Sequence, residues 1–309
     1  MSDETELRDP WLVAVWPGMG HVALAGGYYL MSKLDMSALS ELPARELFDV
    51  EHVEVKGGLI QPGRMPRNRF FVWSSPEHAR DIVLFIGEAQ PPLGKHAFCH
   101  KLIDYVRQLG VRRVFTFAAM ATQMHPEHES RVFAAATDEQ SLSELQRLEL
   151  TLLEDGQIGG LNGVLLGVAA EAGLHGACLL GEMPHIFARV PFPKASLAVL
   201  QVFATMANIE IDFTELAEQA TAIEQQLGQI LNQVQEQMGR QFEPEAEEFV
   251  PEPVEETGVS SEDAQRIEAL FGQATHNRSK AYELKRELDR LGVFANYEDR
   301  FLDLFRKPE

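Results

Sequence analysis

From residue 11 to about residue 209 the chain alternates short apolar runs with longer segments of helical spacing, and this alternation restricts the fold more than any other feature. Residues 11–16 read as a strand, followed by Pro17-Gly18-Met19-Gly20 and a helix through Leu34. Residues 82–86 form a buried-type strand ended by Gly87-Glu88. Residues 95–109 place Phe98, Leu102, Tyr105, Val106 and Leu109 on one helical face, with Gly110 as the C-terminal stop. Residues 114–119, 132–136 and 177–180 read as further strands, the last ended by Gly181-Glu182. Residues 162–172 and 197–207 read as helices. Residues 48–55 and 70–73 read as a long hairpin around Gly57-Gly58 and Pro62-Gly63. Continuous apolar strands joined through helices must be covered on both faces. The expected class is therefore α/β: a three-layer α/β/α sandwich with a mainly parallel sheet.

The pattern changes at Asp212. Asp212 with Glu215 has capping-box spacing, and Phe213, Leu216, Ala220, Ile223, Leu227, Ile230 and Val234 follow in alternating steps of three and four. A long helix over 212–238 is expected, packing on its own domain or offering an intermolecular seam. Between Arg240 and Arg266 the sequence holds nine acids and no base, with prolines at 244, 251 and 253. Such a segment cannot bury enough apolar surface to order itself. As a flexible coil of ~20 residues it would span ~25 Å. Beyond it, Ile267, Leu270 and Phe271 form one apolar stripe and Leu284, Leu288 and Leu291 another. The expected division is a core domain at 11–240, an acidic linker at 241–260 and a small helical tail at 261–309. A helical module of that size is marginally stable alone, so the tail is expected to dock on something.

Charge narrows the function. A formal net charge of −20 would add repulsion against nucleic acid and against anionic membranes, and neither is an expected partner. No apolar run reaches the ~18 residues that span a bilayer. Residues 1–10 lack a basic and apolar leader pattern. Cys99 and Cys178 are the only cysteines and sit in apolar surroundings, as buried thiols of a reducing compartment do. A cytoplasmic location is expected.

Gly18-Met19-Gly20-His21-Val22-Ala23 fits G-x-G-x-x-A between a strand and a helix, the placement of a dinucleotide turn. The acid that should end the second strand is missing: Asp35 comes too early, and Asp49 and Glu51 too late. The glycines then read as a tight turn with close packing. Glu88 and Gln90, His125 and His128, Asp138, and Glu182 lie where strands are expected to end, the edge at which open α/β sheets bind ligands. If Glu88, His125, Asp138 and Glu182 converged, they could serve acid–base chemistry on a small, nucleoside-like ligand in a hydrolase or phosphorylase. Gly159-Gly160-Leu161-Asn162-Gly163 opens a helix whose free N–H groups could hold an anion, which adds Asn162 and Gly163 to Gly18 and Gly20 as weak anion-site candidates. His96 and His100 lie four apart on one helix, but no third ligand is spaced to complete a set, so no metal is expected. With no Walker-type loop either, no cofactor is expected.

Taken in order, five segments resemble the proteasome assembly chaperone 2 family, whose microbial branch is sometimes called ATP-grasp-like. They are Trp16-Pro17-Gly18-Met19-Gly20-His21-Val22 leading to Tyr29-Leu30; Gly87-Glu88-Ala89-Gln90-Pro91; Ala135-Ala136-Thr137-Asp138; residues 156–166; and Cys178-Leu179-Leu180-Gly181-Glu182-Met183-Pro184. The resemblance covers about residues 11–238. It implies a phosphorylase/hydrolase-like α/β/α sandwich, members that form homo-oligomers, and binding to proteasome α-subunits during ring assembly. It implies no catalytic residues. Members that dock into proteasome pockets can end in a hydrophobic-Tyr-X tail, whereas this sequence ends Arg306-Lys307-Pro308-Glu309, so docking through such a tail is not expected. The function this reading gives is a non-enzymatic, oligomeric protein-binding scaffold. Self-association is expected, with a trimer fitting that expectation. A second protein would be held through the core surface or the C-terminal tail. The alternative is the small-ligand enzyme described above.

Overall fold

The computed structural model describes residues 7–49, 53, 55, 56, 58–60, 65–74, 79–148, 150–241 and 261–276, with Leu284, Glu287, Leu288, Leu291, Val293, Tyr297 and Arg300 beyond them. The chain divides into two compact units, Met1–Glu243 and Pro244–Glu309.

The first unit is built on an eight-stranded sheet. Its strands are β1 (Trp11–Val15), β2 (Ser37–Glu41), β5 (Asn68–Trp73), β6 (Ile82–Gly87), β7 (Arg113–Thr122), β8 (Val132–Ala136), β9 (Thr151–Leu152) and β10 (His175–Pro184). Two short strands, β3 (Val55–Lys56) and β4 (Leu59–Ile60), pair separately as a hairpin. The order across the main sheet is β2-β5-β6-β1-β7-β10-β8-β9. The central four strands, β6, β1, β7 and β10, are parallel. Antiparallel pairings flank them: β5 against β6 and β2 against β5 on one side, and β8 against β10 on the other, with β9 parallel to β8. The mainly parallel α/β sandwich expected from the sequence is thus present, with antiparallel edges.

Alternation along the central strands sends side chains to two layers. Trp11, Val13 and Val15 join a core built with helices α1 (Val22–Lys33), α5 (Pro193–Ala207) and α6 (Thr214–Gln241). Leu12, Ala14 and Trp16 join the opposite core, with α2 (Lys95–Gln108) and α4 (Gly160–Glu171). Both faces are apolar because both are covered, which is why these strands read as unbroken apolar runs.

Four expectations about elements need correction. The partner of β5 is β2, not residues 48–55. Phe48 instead follows a single 3-10 turn and meets the ring of Phe98 edge-on at 5.8 Å, so its segment fills core from a loop. β2 reads Ser-Ala-Leu-Ser-Glu, largely exposed at the sheet edge, and has no β-branched residue to signal a strand. β10 does not end at Gly181-Glu182 but runs on to Pro184 beside an equally extended β7. Gly181 sits inside the strand because its missing Cβ admits the Ala195 backbone, 2.5 Å from where that atom would be. Finally, helix α3 (Glu139–Arg147) follows β8 where no helix was expected.

Helix α6 begins where the sequence suggests. Asp212 Oδ1 accepts from the Thr214 N–H at 3.0 Å and from its hydroxyl at 2.7 Å. Glu215, the other half of the expected capping box, pairs with Lys33 at 2.8 Å instead. Leu216, Ala220 and Leu227 are buried in the core shared with α5, and Ile223 is half-buried against it. The stripe then runs out, and Ile230 is 42% exposed. The Val234 side chain lies outside the described residues.

In the second unit, α7 (Ser261–His276) buries Ile267, Leu270, Phe271 and Ala274 against Leu284 and Leu288. The two apolar stripes of the tail therefore close on each other. Arg300 holds Glu268 through two hydrogen bonds and stacks over the Phe271 ring at 4.1 Å. The linker expected at 241–260 falls almost wholly outside the described residues. No described helix is long and apolar enough to cross a membrane.

Candidate functional site

Parallel strands deliver their following loops to one edge, so residues after β1, β6, β7 and β10 meet at the carboxyl end of the sheet, the usual ligand edge of an α/β fold. The turn after β1 is shaped by Gly20, not Gly18. Gly20 has φ +59°, and a Cβ there would lie 2.6 Å from Met183 Sδ. Gly18 is extended, with nothing within 4 Å of its would-be Cβ. The Gly20 N–H donates to the Ala188 carbonyl at 2.8 Å, and its carbonyl accepts from Phe192 N–H at 2.9 Å. Gly20 thus stitches β1 to the loop after β10, and its N–H does not face a phosphate.

The helix entry at α4 is occupied in the same way. Gln90 accepts the Leu161 N–H at 3.1 Å and donates to the Pro17 carbonyl at 3.3 Å, bridging two loops of the edge. Gly163 lacks a Cβ because the Ile158 carbonyl oxygen would stand 1.9 Å from it. The Asn162 carbonyl accepts from Thr116, and its side-chain Oδ1 is buried without a protein partner.

The four acid–base candidates do not converge on one point, since Glu88 and Asp138 each lie apart from Glu182. Glu88 follows β6 and accepts from Arg67 N–H at 3.0 Å and from the Arg69 guanidinium at 2.8 Å. Glu182, inside β10, is 2% exposed. Both of its oxygens are held by Arg131, at 2.7 and 2.6 Å, and the Thr122 hydroxyl adds a third bond at 2.8 Å. The Arg131 bonds dominate burial and hold this carboxyl below its ordinary range. Three strand spacings separate β6 from β10, so Glu88 and Glu182 stand roughly 14 Å apart. His125 lies in the loop after β7, its Nδ1 accepting from Glu127 N–H at 3.3 Å and its ring 5.5 Å from that of His128. Lys194 ties this loop to the helices by donating to the Pro126 and His128 carbonyls and pairing with Glu224.

Asp138 is at the other end of the sheet. β8 runs antiparallel to β10, so its final residues lie beside the start of β10, about 20 Å along the strand from Glu182. There Asp138 caps α3, accepting from Ser141 N–H and hydroxyl, from Thr137 and from His175. Burial opposes its ionisation, but these bonds outweigh burial and hold the carboxyl below its usual range. Placing it with the strand-end group assumed that β8 is parallel.

Burial pushes the thiols of Cys99 and Cys178 up to about 12, so neither is a nucleophile at neutral pH. Among exposed polar residues such as His21, Glu127, His128 and Arg189, the carboxyl edge also presents large apolar side chains. Met19 after β1, Leu93 after β6, and Ile186 and Val190 after β10 are all exposed, Leu93 at 82%. The sequence names each of these residues, but only the topology brings them to one edge.

One grouping was not foreseen. Glu171, the last residue of α4, reaches His96 and His100 of α2, and one donor atom from each comes within 4.8 Å of the others. Its spacing in sequence gives no sign of this, because the contact depends on how two helices pack.

A model described as the PAC2 family matches residues 12–231. The uncharacterised protein MJ1210 of Methanocaldococcus jannaschii is 25% identical over 252 residues, covering 80% of this chain and 93% of that protein. Among solved structures, Pyrococcus furiosus PbaB, described as an archaeal proteasome activator, superposes with a TM-score of 0.63 at 28% identity, over 75% of this chain and 96% of its own. The Mycobacterium tuberculosis proteasome-assembly chaperone homologue Rv2125 superposes with a TM-score of 0.62 at 21% identity, over 71% of this chain and 94% of its own, and shares the fold.

Proposed function

Because the chain belongs to the PAC2 family, we propose that it is a non-enzymatic, oligomeric protein-binding scaffold of the kind that assists proteasome assembly or activation. The observation that carries this reading is the character of the carboxyl edge. There Glu88, Gln90, Glu182 and the backbone of Gly20 are engaged in bonds internal to the fold, while Met19, Leu93, Ile186 and Val190 face outward. Acid–base catalysis needs titratable groups that converge on one reacting atom. A binding edge needs exposed apolar side chains on a rigid frame, and clustered exposed apolar surface marks interaction sites. PbaB, whose description names it a proteasome activator, lends the partner class.

The test is capture of isolated proteasome α-subunits by the full chain, followed on native gels and by interferometry. The reading expects a complex with the unaltered chain and its loss in a Leu93→Asp/Ile186→Asp variant of unchanged circular dichroism. No complex with the unaltered chain, or equal capture by the variant, would contradict it.

A further inference from the structure

We propose that His96, His100 and Glu171 form a surface site for a late first-row divalent cation, zinc above all, that clasps α2 to α4. His96 and His100 are one helical turn apart on α2, which puts both imidazoles on the same face. Their ring centroids are 4.4 Å apart. Glu171 closes the set from α4, its Oε2 3.9 Å from His100 Nε2. Among the described residues no other three such donors come together. His125 and His128, the other histidine pair, have rings 5.5 Å apart in a turn; Glu127 comes within 4.0 Å of His125, but the three do not close into one mutually adjacent set.

The geometry needs little adjustment. Zinc–nitrogen and zinc–oxygen bonds of about 2.0–2.2 Å place tetrahedral donors roughly 3.4 Å apart. The three donors therefore close by about 1 Å, a movement within reach of exposed side chains turning about their own torsions. Their backbones stay fixed, because Phe98, Cys99 and Leu102 of α2 and Leu165, Val168 and Ala169 of α4 are buried in one core. Two imidazoles and a carboxylate suit zinc, nickel or copper, whereas calcium and magnesium prefer all-oxygen sets. Three protein donors leave a fourth position open to solvent, where water completes the tetrahedron. The bound ion ties the end of α4 to the first half of α2, a link that the 3.9 Å His100–Glu171 pair makes only weakly.

The experiment is isothermal titration of ZnCl2 into the full chain after chelator treatment, with melting temperature as a second readout. One ion per chain is expected, and at 100 times the dissociation constant zinc should raise the melting temperature by about 5 °C. Loss of even an outer-shell partner costs 10–100-fold in metal affinity, so His100→Ala and Glu171→Gln should each weaken binding by at least about tenfold. His125→Ala/His128→Ala should bind as the unaltered chain does. Absence of binding, unchanged affinity in the His100 and Glu171 variants, or loss confined to the His125/His128 variant would each overturn the assignment.

Discussion

Glu182 and Arg131 form an unequal pair, the carboxylate buried within β10 and the guanidinium side chain 61% exposed. Removing one partner therefore does not mirror removing the other. Arg131→Ala leaves the buried carboxylate the Thr122 hydroxyl and the backbone N–H of residue 131 but no cation, and should cost about 2–4 kcal/mol at pH 7. Glu182→Gln leaves a solvated arginine and should cost about 1–2 kcal/mol. The pH dependence separates them as well. In the unaltered protein Arg131 lowers the Glu182 pKa, so the pair's stabilisation is present above the unfolded carboxylate range and is lost as pH falls through the folded value. In Arg131→Ala, burial without the cation raises that pKa, so the variant's deficit should shrink as pH falls from 7 towards 5. Urea titrations at the two pH values read both effects, and a deficit that grows on acidification would contradict them. The glycine turn offers a second residue-scale contrast. Gly20→Ala meets both a left-handed backbone and Met183, and should destabilise by about 2–3 kcal/mol. Gly18→Ala should stay within about 0.5 kcal/mol, because its backbone is extended and its surroundings are open. Equal losses would show that Gly18 has a role its packing does not reveal.

Among the elements, α6 changes character along its length. Leu227→Ala removes a buried side chain from the core shared with α5 and should cost about 2–4 kcal/mol. Ile230→Ala, one turn on, should cost less than about 0.5 kcal/mol in the isolated chain. Thermal melts distinguish these outcomes, and comparable losses would mean that the far half of α6 is also covered. Its beginning was legible because Asp212 and the three–four spacing are local signals. The same holds for β1, β6 and α2, where pattern and tertiary role agree. β2 was not legible, since an exposed edge strand of serines and a glutamate carries no apolar alternation. The direction of β8 was not legible either. A five-residue apolar run reads the same whether parallel or antiparallel, and that ambiguity placed Asp138 at the wrong end of the sheet. Glu171 lay beyond reach for a related reason: its neighbours on α2 are far away in sequence and meet it only through helix packing.

At the scale of the whole molecule, exposed apolar side chains at the carboxyl edge and a net charge of −20 pull in opposite directions. Apolar surface favours association, while like charge opposes it and is screened over about 8–10 Å at physiological salt. Self-association should therefore strengthen between 0.05 and 0.5 M salt, on the order of a few-fold or more, as sedimentation velocity would record. Weakening with salt would point to an interface held by ion pairs instead. The scaffold reading is tested most directly by the mass of the full chain in solution, from light scattering across micromolar concentrations. The account predicts a multiple of the 34.6 kDa chain, three copies fitting the expected trimer. A single-chain mass at every concentration and salt would contradict it.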